Sequence, residues 1–73
     1  MAETRQTDTR DIGLAIRDFM QGFAISQFHE IDGELQEVDS ADKIDFVDVS
    51  DPHNPVLHME SGIQFTVRVV RTG

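Results

Sequence analysis

Apolar and polar residues alternate most regularly near the C-terminus. From Gly62 to Val70 (GIQFTVRVV), Ile63, Phe65, Val67 and Val69 alternate with Gln64, Thr66 and Arg68. This is the period-2 pattern of a half-buried strand rich in β-branched residues. It predicts the strand around which the rest of the chain is organised. Such a strand needs a neighbour to pair with and a layer to cover its apolar face.

The covering layer is predicted near the N-terminus. Ile12, Ile16, Phe19 and Phe23 recur at helical spacing and share one stripe, while Arg10, Arg17, Asp18 and Gln21 fall off it. The pattern predicts a helix over Asp11 to Ala24, capped by Thr9 or Asp8, with Asp11 in its first turn. Gly13 and Gly22 weaken that helix, and Gly22 suggests a close contact with the sheet. Residues 1–9 have no apolar period and read as a frayed tail.

Asp32-Gly33 is a two-residue hairpin signal, giving strands at Ser26–Ile31 and Glu34–Val38. Phe28, Ile31, Leu35 and Val38 also fit a helical spacing, but a helix would have to run through that dipeptide. Asp39 to Asp42 reads as a loop and Lys43 to Val49 as a strand, with Ile44 and Phe46 on one face. Ser50 to Pro55 is a turn, because neither proline can donate to a ladder. Val56 to Met59 is a short strand. The expected architecture is α+β: one N-terminal helix packed on an antiparallel meander of three to five strands over residues 25–71. Residues 1–73 form a single small domain. Its expected core is Ile16, Phe19, Phe23, Phe46, Phe65 and Val67, and truncating one of those phenylalanines is expected to cost about 3–5 kcal/mol.

Charge changes this picture. Between Glu30 and Asp51 the chain carries nine acids and one base, Lys43, and this segment holds the whole net charge of −8. A single-sign field of this kind favours basic partners and repels nucleic acid and anionic membranes. Glu30, Asp32 and Glu34 would crowd at a hairpin tip, while Asp45 and Asp48 differ in parity along their strand. Glu30, Asp32, Glu34, Glu37, Asp45 and Asp48 are therefore the candidate partner-binding residues. The plain alternative is a solvated acidic face that keeps a small domain soluble.

Candidate chemistry adds little. There is no cysteine, hence no disulfide or thiolate site, which suits a reducing cytoplasm. Asp51, His53, His58 and Glu60 lie close in sequence but at no metal-binding spacing, so no metal is expected. Cofactors are not expected either. There is one lysine, no nucleophile elbow and no glycine-rich phosphate loop, which speaks against an enzyme. Five arginines on so acidic a chain do not resemble a nucleic-acid-binding footprint, and no apolar run is long enough for a membrane span.

The expected function is a non-enzymatic acidic protein-interaction module that docks on a basic surface of a larger protein. In its sharpest form it would be a phage- or mobile-element-type inhibitor acting as a nucleic-acid mimic. The alternative is a structural subunit of a homo-oligomer or larger assembly held by apolar and sheet-edge contacts. Leu14, Ile25 and Phe28, which do not fit the core stripe, would be its contacts.

Overall fold

The first element begins where a short acid can bind free backbone amides. A computed structural model describes residues 5–73. The first four residues of the expected tail lie outside the described residues. Helix α1 spans Thr9–Met20 and is capped by Asp8 in a reciprocal box. The Asp8 carboxylate accepts from the Thr9 amide, and the Asp8 amide donates to Asp11, both at 2.8 Å. Such a cap satisfies amides that have no partner inside the helix. Arg5 adds two hydrogen bonds of 2.8 Å to the Asp11 carboxylate, which engages the end of the tail. The helix stops at Met20 rather than Ala24. Gly22 takes a left-handed φ of 83°, and its N–H donates to the Ile44 carbonyl at 2.7 Å, turning the chain out of the helix.

Four strands follow: β1 (Ala24–Ile31), β2 (Glu34–Asp48), β3 (Val56–Met59) and β4 (Gln64–Thr66). They form one meander in the order β1-β2-β3-β4, each antiparallel to the next. The α+β arrangement of one helix and an antiparallel meander is thus present. Asp32 (φ 51°) and Gly33 (φ 80°) are both left-handed and join β1 to β2 as a two-residue hairpin turn. Asp39 to Asp42 is not a loop. β2 runs through it unbroken, because Ala41, Asp42 and Lys43 pair with Ser26, Ile25 and Ala24. The only concession is an irregularity opposite Gln27, whose side-chain oxygen accepts from the Ser40 hydroxyl at 2.6 Å.

β2 therefore has two roles. It pairs with β1 up to Lys43 and with β3 from Ile44 onward. A β-bulge between Ile44 and Phe46 marks the change, and the extra residue resets the inward–outward alternation. Ile44 and Val47, not Ile44 and Phe46, consequently share the inner face. Together with Leu57 and Met59 they are the buried hydrophobic core. Ile16, Met20, Ile25, Val49 and Val67 pack against them.

The expected phenylalanine core is not formed. Phe19, Phe23, Phe46 and Phe65 are 80%, 57%, 44% and 54% exposed. For Phe46 the reason is the bulge; for the helix stripe it lies at Gly13, the buried residue of α1, which packs directly on the Pro52 backbone. This contact, with Ile16 and Met20, rotates the inward face of the helix by roughly 50–60° from the expected stripe, at 3.6 residues per turn. Phe19 then faces solvent, and Phe23 lies beyond the helix end. Nor is Gly62 to Val70 the central strand. β4 is a short edge, although Val67 and Val69 extend its pairing by donating to Pro55 and His53 at 2.9 and 3.3 Å. The organising strand is β2.

The result is long and thin. The described chain measures 54 × 27 × 21 Å with a radius of gyration of 15.6 Å, against about 11 Å expected for a compact chain of this length. The body contains α1, β3, β4 and the end of β2, and the ribbon of β1 with the first part of β2 projects from it as an arm.

Candidate functional site

The arm, residues 24–43, is where most of the segregated charge lies. It carries six acids and a single base, Lys43. Directly opposed residues of an antiparallel pair share a face. The register Phe28↔Glu37 and Glu30↔Leu35 therefore puts two apolar and two acidic side chains on one face. The other face carries His29 and Gln36 with Ile31 and Glu34, and Asp32 stands at the tip. Phe28, Ile31 and Leu35 are 55%, 43% and 75% exposed. Neither outer edge of the ribbon beyond Lys43 has a neighbouring strand, since β3 joins β2 only from Ile44 onward.

The six candidate residues fall into two groups. Glu30, Asp32, Glu34 and Glu37 lie together on the distal half of the arm, all exposed. Asp45 and Asp48 lie on the body, at and beyond the bulge. At about 3.3 Å per residue, Asp45 is roughly 40 Å from the tip along β2. The expected opposition of Asp45 and Asp48 is not kept, because the bulge between Ile44 and Phe46 breaks the alternation.

Several acids of the segment hold the chain itself. Asp42 accepts from the Ser61 amide (3.2 Å) and hydroxyl (2.5 Å), tying the β3–β4 turn to β2. Asp48 accepts from the Ser50 hydroxyl (2.6 Å) and amide (2.8 Å), which lowers its pKa. Asp51 is lowered likewise, by the Asn54 side chain and then the His53 amide. Among the described residues the ion pairs are Arg5–Asp11 at 2.8 Å and Arg17–Asp18 at 3.0 Å. Arg5 holds the Asp11 carboxyl far below its ordinary range. Among the described residues no acid from Glu30 to Asp51 is ion-paired.

The two histidines considered for metal serve different surfaces. His53 Nδ1 is 2.5 Å from the Thr9 hydroxyl at the start of α1. His58 stacks on Phe46 with ring centroids 4.1 Å apart, on the sheet face that α1 does not cover. Among the described residues no group of three His, Asp or Glu side chains is placed to hold a metal ion, and there is no concave pocket. No helix among them is long and apolar enough to cross a membrane.

Of the exposed apolar residues on the arm, only Phe28 is expected from the sequence as a contact; Ile25, expected beside it, packs on the core instead. The available signal was apolar side chains interleaved with acids in the segment from Phe28 to Val38, in excess of what so small a body can enclose. No protein-family model, curated protein or solved structure matches the chain, so its function must be argued from this geometry.

Proposed function

We propose that the chain is a non-enzymatic protein-interaction module, a subunit of a larger assembly, whose projecting β1–β2 arm is the docking element. One observation carries the reading: the arm holds Phe28, Ile31 and Leu35 in solvent on a ribbon with two open edges. An isolated two-stranded ribbon is only marginally stable in water. Open edges and exposed apolar side chains are features that soluble monomers suppress. Covering the three side chains would contribute on the order of 3 kcal/mol, taking about half of their full burial energy. A chain without cysteine suits assembly in a reducing cytoplasm.

A second reading makes the acids the recognition element for a basic protein surface, up to an inhibitor that mimics nucleic acid. What favours it is that no acid between Glu30 and Asp51 is ion-paired among the described residues.

Size fractionation of cell extract containing the full chain tests both. The wild type is expected to run well above the mass of one chain. A variant with Phe28→Ser and Leu35→Ser is expected to run as a free chain with unchanged circular dichroism of the body. A wild type that runs as a free chain would remove the docking function. Partner release by high salt with the apolar residues intact would favour the acidic reading instead.

A further inference from the structure

Among the described residues the open surfaces include the arm, the Phe46–His58 sheet face, the outer edge of β4 and the side of α1 that carries Phe19. Two of them are complementary. We propose that the chain assembles head to tail, the acidic arm of one copy pairing along the β4 edge of the next. This rests on the arm being a docking element and names what it docks on.

The receiving edge is defined by backbone geometry. The Ile63 carbonyl accepts from Met59 at 2.9 Å, and Val67 and Val69 donate to Pro55 and His53. Odd-numbered residues therefore face β3. Successive residues in a strand direct their backbone groups to opposite sides, so those of Gln64, Thr66 and Arg68 point outward. β4 is last in the sheet order, and among the described residues nothing bonds to these groups. From Ile63 to Val69 the edge is roughly 20 Å long at 3.3 Å per residue, comparable with a strand of the arm. Adding a strand to such an edge is a common mode of recognition.

Charge decides which strand is added. From Ser61 to the last residue the chain carries Arg68 and Arg71 and no acid, whereas the arm carries six acids and Lys43. Arm against arm would set acids opposite acids, which is unfavourable. Arm against the β4 edge sets them against two arginines that have no ion pair among the described residues. The apolar side chains match as well: Phe28, Ile31 and Leu35 on the arm meet Ile63, Phe65 and Val70, which are 55%, 54% and 61% exposed. Within one copy the arm and β4 are not paired with each other and lie at the two ends of the sheet order, which leaves the edge open to a second copy. The contact is heterologous and propagates into a ring or a filament.

Sedimentation velocity over a concentration series, with two charge-reversal variants of the full chain, tests this. One carries Glu30→Lys with Glu37→Lys, the other Arg68→Glu with Arg71→Glu. The wild type is expected to gain mass with concentration. Each variant alone is expected to associate on the order of tenfold more weakly, or not at all. An equimolar mixture is expected to recover assembly, because the reversed arm meets the reversed edge while the native arm meets the native edge. That recovery also shows both variants folded. A wild type with the mass of one chain at every concentration overturns the proposal. So does an edge variant that assembles like the wild type, or a mixture that stays dissociated. If self-association fails here, but in extract the wild type runs in a heavier complex and the Phe28→Ser, Leu35→Ser variant runs as a free chain, only the second copy is wrong as the partner. If both experiments fail, the docking function falls with it.

Discussion

Replacing Gly13 by alanine sets a local preference against a tertiary contact. Helix propensity favours the Gly13→Ala variant by about 0.8–1 kcal/mol in a helix interior. The structure reverses the sign. A Cβ built on Gly13 would overlap the Pro52 carbonyl oxygen and lie 2.8 Å from its carbonyl carbon and 3.4 Å from its Cα. These are backbone atoms of a turn pinned by Asp51, whose carboxylate accepts from the His53 amide and the Asn54 side chain. No rotamer change relieves the overlap, so α1 must lift. Lifting it loosens Ile16 and Met20 from the core around Ile44 and Leu57. Each such side chain contributes about 1.5–3 kcal/mol when fully buried. Losing roughly half of that for the pair costs about 1.5–3 kcal/mol on the same scale. After the propensity gain the net loss is about 0.5–2 kcal/mol, near the usual range for overpacking. In a domain of this size that lowers Tm by roughly 2–15 °C. Far-UV circular dichroism melts, at a concentration where the chain is monomeric, measure it. A Gly13→Ala variant that melts higher than wild type would refute the argument, because the contact with Pro52 would not be what holds α1 in place.

Three further outcomes follow from particular residues. Phe46→Ala should cost less than about 2 kcal/mol, because Phe46 is 44% exposed and its loss opens no closed cavity, while Leu57→Ala should cost about 2–5 kcal/mol. Equal costs in urea titrations would restore the phenylalanine core. Gly33→Ala has open space for its Cβ but must hold φ near 80°, a strain of about 1–2 kcal/mol. Hydrogen exchange should quicken along the arm and stay unchanged in β3; uniform quickening would mean the arm is not a separate unit. Asp11, Asp48 and Asp51 have folded pKa values below their unfolded ones. Their contribution is therefore complete above the ordinary carboxylate range, at pH of about 4, and is lost as pH falls through the lowered values. Melts taken from neutral to acid pH should show a decline that Asp48→Asn and Asp51→Asn make shallower. Identical profiles for wild type and variants would contradict it.

The elements that could be read from the chain are those decided by neighbours in sequence. Asp8 and Asp11 cap a helix because their side chains reach amides within three residues. Asp32-Gly33 turns because both residues tolerate positive φ. The charge segment was equally legible, since composition alone defines it. Its division between arm tip and body was not, because a strand running unbroken through Asp39 to Asp42 depends on distant partners at Ala24 to Ser26. The arm residues Phe28, Ile31, Leu35 and Val38 fit two periodicities at once, and only pairing with a second strand could select one.

Sequence by itself determined that this chain makes one helix, a hairpin and further antiparallel strands, with its negative charge gathered in the middle. Those outcomes rest on backbone sterics, local hydrogen bonds and charge, all of short reach. Tertiary structure alone decided which apolar residues are buried. One extra residue at the bulge exchanged Phe46 for Val47 on the inner face, and one missing Cβ at Gly13 set the rotation of α1. A sheet covered by a single short helix has room inside for four hydrophobic side chains. The rest of the apolar surface, Phe19, Leu35 and Phe65 among it, stays in solvent.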